Sequence, residues 1–363
     1  MSQLAIIGTG LVGGSVGLAA RARVPELVIT GFDRDPKTAA AAFARGAVTV
    51  AAGDAAEAVA GAEMVALCVP VDELAGVCAE IRPAIGPDTA ITDVGSAKAV
   101  PVRVGEDAFG ARFVGGHPMA GSERHGIVAA DAALFEGAPW ILTPTATTSS
   151  AAYGRVSSFV GTLGARPVAV SPDVHDALVA RLSHVPQLTA SALVNAAAGA
   201  GDRDALLSLA ASGFRDVTRI AASKPDLWVG IVASNRAAVL TALAGLRARL
   251  ADVEDMIATG RWNELRGFLD AARSARLGLF TKPVADGTPV ELSMMVPDRP
   301  GVLAEVTTAA GGLGVNIEDL RIVHSTEGGR GRLELVVLGA GAAAMLGETL
   351  GELGYHVDHG PID

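Results

Sequence analysis

Cysteine is almost missing from this chain. Two residues in 363, Cys68 and Cys78, give neither a disulfide framework nor a set of zinc ligands. A reduced cytoplasm is the simplest compartment for such a sequence. Positive charge is also short. Four lysines and 25 arginines face 39 acidic residues, for a net charge of −10. That argues against nucleic acid, whose binding needs concentrated positive charge. With heavy alanine and glycine use, the lysine shortage reads as genome composition. No apolar stretch reaches membrane-spanning length without a charge or a helix breaker. The opening LAIIGTGLVGG runs directly into structure, without the basic start and cleavage site of a signal peptide. What remains is half hydrophobic and 19% charged. A chain of this length and composition is expected to build two or three domains with a sizeable core.

LAIIG (4–8) is a short apolar run ending in glycine, the pattern of a buried parallel strand. Gly8, Gly10 and Gly13 follow with G-x-G-x-x-G spacing, with Leu11 and Val12 between them, and open an alanine-rich helix. Strand, glycines and helix in that order mark a dinucleotide-binding turn. The first glycine permits the turn, the second lets backbone approach a pyrophosphate, and the third lets helix pack on strand. A second strand, LVITGFD, ends at Asp33, where a carboxylate accepts hydrogen bonds from an adenosine ribose and repels a 2′-phosphate. NAD is therefore expected over NADP, softened by the adjacent Arg34.

Further strands are expected at MVALCVP (64–70), TAITDVGS (89–96), FVGGHP (113–118), APWILTP (138–144) and ARPVAV (165–170). Alternation with helices predicts a doubly wound parallel sheet, whose ligands bind beyond the carboxyl ends of the strands. Those ends carry Val69-Pro70, Asp93 to Ser96 and His117-Pro118. A histidine beside a nicotinamide can take a proton as hydride leaves, and Ser96 can orient that proton. The alternative is that His117 and Ser96 only cap turns. His125 reads as a loop residue.

From Ser171 the texture changes. SPDVHDALVARLSHVPQLTASALVNAAAG begins with a serine N-cap and a proline at the first helical position, and runs as a helix to Gly199. His175, Asp176, Ser183, His184 and Gln187 are polar within it, with Asp176, Ser183 and Gln187 spaced to share a face. Arg215 and Arg219 lie four apart, as a carboxylate clamp or as a solvated face. One long helix is expected over LWVGIVASNRAAVLTALAGLRARLADVEDMIATG, and RWNELRGFLDAARSARLGLF is the last. Helices apolar nearly all round need partners, so this segment is expected to dimerise. The histidines lack metal-ligand spacing, and no metal is expected. TKPVADGTP (281–289) reads as a linker. Beyond it the order strand, helix, strand, hairpin, strand, helix, strand is the ferredoxin-like arrangement.

The chain resembles the prephenate dehydrogenase family over nearly its whole length. GTGLVGGS, TDVGSAK, GGHPMAGSE, HDALVARLSHVPQ and GFRDVTRIAASKPDLW carry the likeness. VPDRPGVLAEV and GVNIEDL resemble an ACT domain, a module that senses amino acids. The resemblance implies an α/β Rossmann domain over 1–170, an all-α dimerisation and substrate domain over 171–281, and an α+β ferredoxin-like ACT domain over 288–363. It implies NAD-dependent oxidative decarboxylation of prephenate to 4-hydroxyphenylpyruvate in tyrosine biosynthesis. His117 matches the catalytic histidine and Ser96 the serine that contacts the same hydroxyl. Arg219 matches the arginine holding a substrate carboxylate, and Glu123 an active-site loop acid. Arg215 and Trp228 match residues that reach a neighbouring site across a dimer. Ser183 and Gln187 are counted with the substrate residues; Gln187 stands where some prephenate-specific members have histidine, which leaves arogenate open as substrate. Tyrosine is expected as effector near Asp298, Arg299, Gly301, Val302, Leu303 and Asn316. Two other readings stay open. A β-hydroxyacid-type reductase would want a lysine in the helical segment, which has only Lys224. A non-catalytic sensor of NAD and amino acids would want a partner-binding surface.

Overall fold

LAIIG folds as β1 (Gln3–Ile7), and its alternation separates two faces of the sheet. Leu4 and Ile6 join one buried cluster with Val16 and Ala19; Ala5 and Ile7 join another with Leu74 and Ile81. The computed structural model describes residues 1–120, 126–199, 211–278, 288–297, 302–315, 317–324 and 330–360. It divides into two compact units, Met1–Leu250 and Ala251–Asp363.

In the first unit, β1 is flanked by β2 (Val28–Phe32) and β4 (Met64–Leu67), with α1 (Leu11–Arg23) crossing between β1 and β2. The short β3 (Val50–Ala51) closes one edge. It lies between α2 (Pro36–Ala44) and α3 (Ala55–Val59), a stretch the sequence patterning left unassigned. The capping side chains of Asp35 and Asp54 start those two helices. The other half of the sheet holds β5 (Ala90–Asp93), β6 (Phe113–Pro118), β7 (Pro139–Thr143) and β8 (Arg166–Ala169). α4 (Leu74–Ile81) leads into β5, α5 (Ala99–Phe109) joins β5 to β6, and α6 (Ser150–Thr162) joins β7 to β8. The order is β3-β2-β1-β4-β5-β6-β7-β8.

An all-parallel sheet was the expectation, and here the structure differs. β7 runs antiparallel to β6, and β8 follows β7 in parallel. The reason lies in the connection. Reversing direction twice requires a crossover helix, and the described residues between β6 and β7 hold only a 3₁₀ turn, Ile127–Ala129.

Two expected helices are also broken. The segment from Ser171 divides into α7 (Pro172–Val179), a π-turn (Ala180–His184) and α8 (Val185–Ala198). The wider turn changes the register. Asp176, His184 and Gln187 are buried, whereas Ser183 is exposed, so the predicted face of Asp176, Ser183 and Gln187 does not form. After α9 (Ser212–Thr218), the long helix expected to end at Gly260 divides into α10 (Pro225–Ser234) and α11 (Arg236–Ala258), bent by 96°. Asn235 sits at the corner with φ −112° and ψ 30°. Its buried amide donates to the Asp176 carbonyl at 2.9 Å, and that tertiary bond holds the bend where propensity favours continuing. No single helix among the described residues is long and apolar enough to cross a membrane.

The second unit contains the end of α11, then α12 (Trp262–Gly278). An antiparallel sheet follows, ordered β10-β11-β9-β12, built from β9 (Pro289–Pro297), β10 (Ile317–His324), β11 (Arg330–Leu338) and β12 (Val357–Gly360). With α13 (Val302–Gly312) and α14 (Ala340–Glu352) the chain order is β-α-β-β-α-β, as the sequence patterning predicts. Its core is Leu292, Met294, Val306, Leu333, Leu335, Leu346 and Leu350. The hairpin glycines and most of the expected linker lie outside the described residues.

Removing the Asn235 amide takes one of two donors from the buried Asp176 carbonyl, which keeps the Ala180 N–H. Asn235→Ala is expected to cost about 0.5–1.5 kcal/mol, read as a lower melting temperature. An unchanged melting temperature would show that the bend does not depend on this contact.

Candidate active site

Gly8 takes φ 89°, and a Cβ there would lie 2.4 Å from the Cys68 carbonyl oxygen. At Gly13 it would lie 1.9 Å from the Gly8 carbonyl oxygen. Strand, turn and helix are thus pressed together in a way only glycine allows. Gly10 is different: a Cβ there would meet nothing within 4 Å. The open space lies at the start of α1, where Leu11 and Val12 form the first turn and no side chain caps the helix. Free first-turn N–H groups at a helix start suit a pyrophosphate. Asp33, just past β2, is fixed at that crevice. Its Oδ2 accepts from the Thr9 N–H at 2.8 Å and its Oδ1 from the Asp35 N–H at 3.0 Å. Arg34 is turned to Glu73, 2.6 Å away. Val69 is half-buried, lining Gly8, and Pro70 is exposed. These residues fit a bound dinucleotide.

Beneath the ends of β5 and β6 lies a buried ion pair. Lys98 is fully buried and its Nζ bonds the Asp93 carboxylate. The same Nζ donates to the Gly116 carbonyl at 2.7 Å, while the Gly116 N–H donates to Asp93 Oδ1 at 3.1 Å. The Gly95 N–H adds a third donor to Asp93, at 2.9 Å. A Cβ on Gly116 would sit 2.6 Å from the Asp93 carbonyl oxygen. So the glycine preceding His117 is required by the packing of β6 on the strand that carries this pair. Burial pushes the Lys98 ammonium below its ordinary pKa, and Asp93 beside it opposes that push.

His117 is half-buried at the end of β6. Its Nδ1 lies 2.8 Å from His175 Nε2. His175 Nδ1 in turn lies 2.8 Å from Asp176 Oδ1. The Asp176 carboxylate also accepts the Lys98 N–H at 2.7 Å and the Ala99 N–H at 2.9 Å, at the start of α5. Burial works against its charge, but the bonds from His175, Ala99 and Lys98 outweigh it and hold the carboxyl below the usual range. His117 is held well below the usual histidine value, first by burial, then by the Lys98 ammonium and the neighbouring His175 and His184 rings. His184 is buried beside the Ser96 backbone. Its Nδ1 is 3.2 Å from the Asn235 amide, and its ring meets Trp228 edge-on with centroids 5.9 Å apart.

The structure therefore links His117 to Asp176 through His175, and places the Ser96 backbone and the Trp228 ring beside His184. Ser96 is half-buried in the loop after β5, and Gln187 is buried one turn beyond His184. Trp228, expected from the resemblance to reach a neighbouring subunit, stands against a histidine of its own chain. Ser183, Arg215 and Arg219 are exposed, Arg215 on α9 and Arg219 in the 3₁₀ turn that follows. Glu123 lies outside the described residues, as do Asp298, Arg299, Gly301 and Asn316. Val302 is buried in the second unit's core, where it starts α13, and Leu303 follows in its first turn. Sequence reasoning missed Lys98, His175, Asp176, His184 and Asn235 as parts of one site. The signal available was the unusual HD pair and a lone lysine in otherwise apolar surroundings.

A dinucleotide turn, an acid at the second strand and a half-buried histidine at another strand end of the same sheet define a nucleotide-binding dehydrogenase. The family model described as "Prephenate dehydrogenase, nucleotide-binding domain" matches residues 16–169, and "Prephenate dehydrogenase, dimerization domain" matches 171–271. The chain belongs to the prephenate dehydrogenase family. Prephenate dehydrogenase of Bacillus subtilis is 32% identical over 91% of this chain and 90% of its own length. Cyclohexadienyl dehydrogenase of Zymomonas mobilis is 34% identical over 77% of this chain and 96% of its own. Among solved structures, prephenate dehydrogenase from A. aeolicus in complex with hydroxyphenyl propionate and NAD⁺ has a TM-score of 0.73 and 29% identity, covering 77% of this chain and 98% of its own. Synechocystis arogenate dehydrogenase has a TM-score of 0.68 and 31% identity, covering 76% and 99%.

Lys98→Met should strand the Asp93 carboxylate in the interior. The expected cost is about 3–5 kcal/mol of stability, measured by thermal or denaturant unfolding. A variant as stable as the parent would show that the pair does not hold β5 to β6.

Proposed function

We propose that this protein is an NAD-dependent prephenate dehydrogenase of tyrosine biosynthesis, converting prephenate to 4-hydroxyphenylpyruvate and CO₂. The observation that carries the reading is His117, at the end of a strand in the same sheet as the dinucleotide turn, with its Nδ1 already engaged by His175. NAD⁺, when bound, supplies the acceptor for the hydride. Asp33 selects a ribose with a free 2′-hydroxyl. His117 accepts the proton of the ring hydroxyl as hydride leaves the carbon bearing it. The ring carboxylate then departs as CO₂, and the electron pair of the broken carbon–carbon bond aromatises the ring. Ser96 holds the same hydroxyl. Arg219 takes a substrate carboxylate, with Ser183, Gln187, Glu123, Arg215 and Trp228 completing the pocket. A neutral His117 is the form that works as a base, and its burial beside Lys98 favours that form.

The helices of 171–281 pair two subunits. Exposed Leu182, Val229 and Leu240 are apolar surface that such pairing would cover. The segment 288–363 acts as an ACT domain that binds tyrosine around 298–303 and Asn316, and the enzyme works in the cytoplasm. A second reading, arogenate as substrate, is favoured by one feature. Gln187 presents a buried neutral amide that suits an ammonium or a keto group.

NADH formation should be followed with prephenate and arogenate in parallel, each with and without tyrosine. Turnover of prephenate is expected, with a tyrosine effect on rate or melting temperature. No turnover with either substrate would end the dehydrogenase reading, and no tyrosine effect would end the effector reading. His117→Asn should lower kcat by about 10²–10⁴-fold with NAD⁺ affinity unchanged; near-normal turnover would remove His117 from its role. The acid limb of kcat/KM should lie below pH 6.5, because the lowered pKa keeps His117 unprotonated down to that range. A limb well above pH 6.5 would contradict that assignment.

A further inference from the structure

The hydrogen bonds behind His117 allow a proton count. Asp176 Oδ1 faces His175 Nδ1 and the Lys98 N–H, and Oδ2 faces the Ala99 N–H. An ionised carboxylate only accepts, so His175 Nδ1 carries a hydrogen. In neutral His175 the Nε2 then holds a lone pair, and His117 Nδ1, 2.8 Å away, must donate to it. That leaves Nε2 as the basic nitrogen of His117.

We propose that His175 and Asp176 form a positioning relay that fixes His117 in its Nδ1–H tautomer and takes over the charge it collects. The inference rests on the reading of His117 as the base and extends it to two residues that do not touch substrate. Its physical need is local. His117 stands near the Lys98 ammonium, where a second positive charge is disfavoured. His175 stands against a carboxylate, where positive charge is welcome. When the substrate O–H breaks and its proton joins His117 Nε2, the Nδ1–H passes to His175 Nε2. His117 is then neutral again, and His175 is an imidazolium bonded to Asp176. One proton enters, one moves on, and no electrons are exchanged with the relay. Asn235, by binding the Asp176 carbonyl, holds α7 in place behind the pair.

The groups acting on His117 from the surrounding elements are Lys98 after β5, His175 on α7 and His184 in the π-turn, with Asp93 against Lys98 and Asp176 against His175. Two variants separate tautomer fixing from charge sharing. His175→Gln keeps an acceptor for the His117 Nδ1–H but cannot take the proton. His175→Phe keeps bulk and offers no acceptor. Steady-state kinetics on the full chain should show kcat lowered by roughly 10²-fold or more in His175→Phe, as for a histidine base held in the wrong tautomer. KM and NAD⁺ affinity should stay within about threefold. His175→Gln should recover about tenfold of that loss, and it serves as the readable variant if His175→Phe fails to fold. Equal kcat in parent and His175→Phe, or parallel loss of NAD⁺ affinity in both variants, would overturn the relay.

A readout free of turnover is ¹⁵N NMR of histidine-labelled protein, with His117 assigned by its loss in His117→Asn. The parent should show His117 protonated at Nδ1 and not at Nε2, and His175→Phe should mix the tautomers. Protonation at Nε2 in the parent, or no change in the variant, would also overturn the relay. If the parent makes no NADH from either substrate yet shows the Nδ1–H tautomer, the proposed function fails while the relay stands. If it turns over with the other tautomer, the reverse holds.

Discussion

The site depends on a charge that the fold has buried completely. Lys98 has no exposure, and its ammonium joins the ends of two neighbouring strands by bonding the Asp93 carboxylate on one and the Gly116 carbonyl on the other. A pair of this kind contributes little net stability, because desolvation offsets attraction. Its value here is geometric. It fixes the residue before His117 from both sides, since Gly116 also donates back to Asp93. It also places a positive charge near His117, which adds to the larger effect of burial in favouring the neutral imidazole, the form able to accept a proton.

Asp176 is the counterweight. It neutralises no side-chain cation directly; it accepts two backbone N–H groups at the start of α5 and one imidazole. Through those bonds the helical segment is tied to the dinucleotide-binding sheet at the point where chemistry is expected. The π-turn and the Asn235 corner serve the same place. One turns His184 inward instead of Ser183, and the other ties α10 and α11 to the Asp176 carbonyl. Two departures from regular helix therefore meet at Asn235, which joins His184 to the Asp176 carbonyl. Irregular helix at a functional site is a recurring pattern, and here each irregularity has a named hydrogen bond or a buried residue to account for it.

The second unit has its own core and a complete β-α-β-β-α-β path. Several relatives align over about three-quarters of this chain and nearly all of their own length, so the catalytic fold does not require everything found here.

The dinucleotide turn, the places of the strands and the candidacy of His117, Ser96 and Asp33 are legible in the amino-acid order alone, although β4 and β5 stop three residues short of their expected ends, at Leu67 and Asp93. Those features are local: glycine spacing, a strand's apolar run and the residue at its end are read within a few positions. The sequence also determined the order of elements in the second unit, because strand and helix periods differ. The direction of β7, the breaks at the π-turn and at Asn235, and the assembly of the charged cluster were decided only by tertiary structure. The contacts that bring α7 to His117, to the start of α5 and to Asn235 join residues 58 to 78 positions apart. Helix propensity through Asn235 and through Ala180–His184 favours continuing, and only a buried carbonyl or a packed neighbour elsewhere in the fold makes stopping better. A lysine that looks like an isolated charge in the sequence becomes the organising charge of the site once folding removes the water around it.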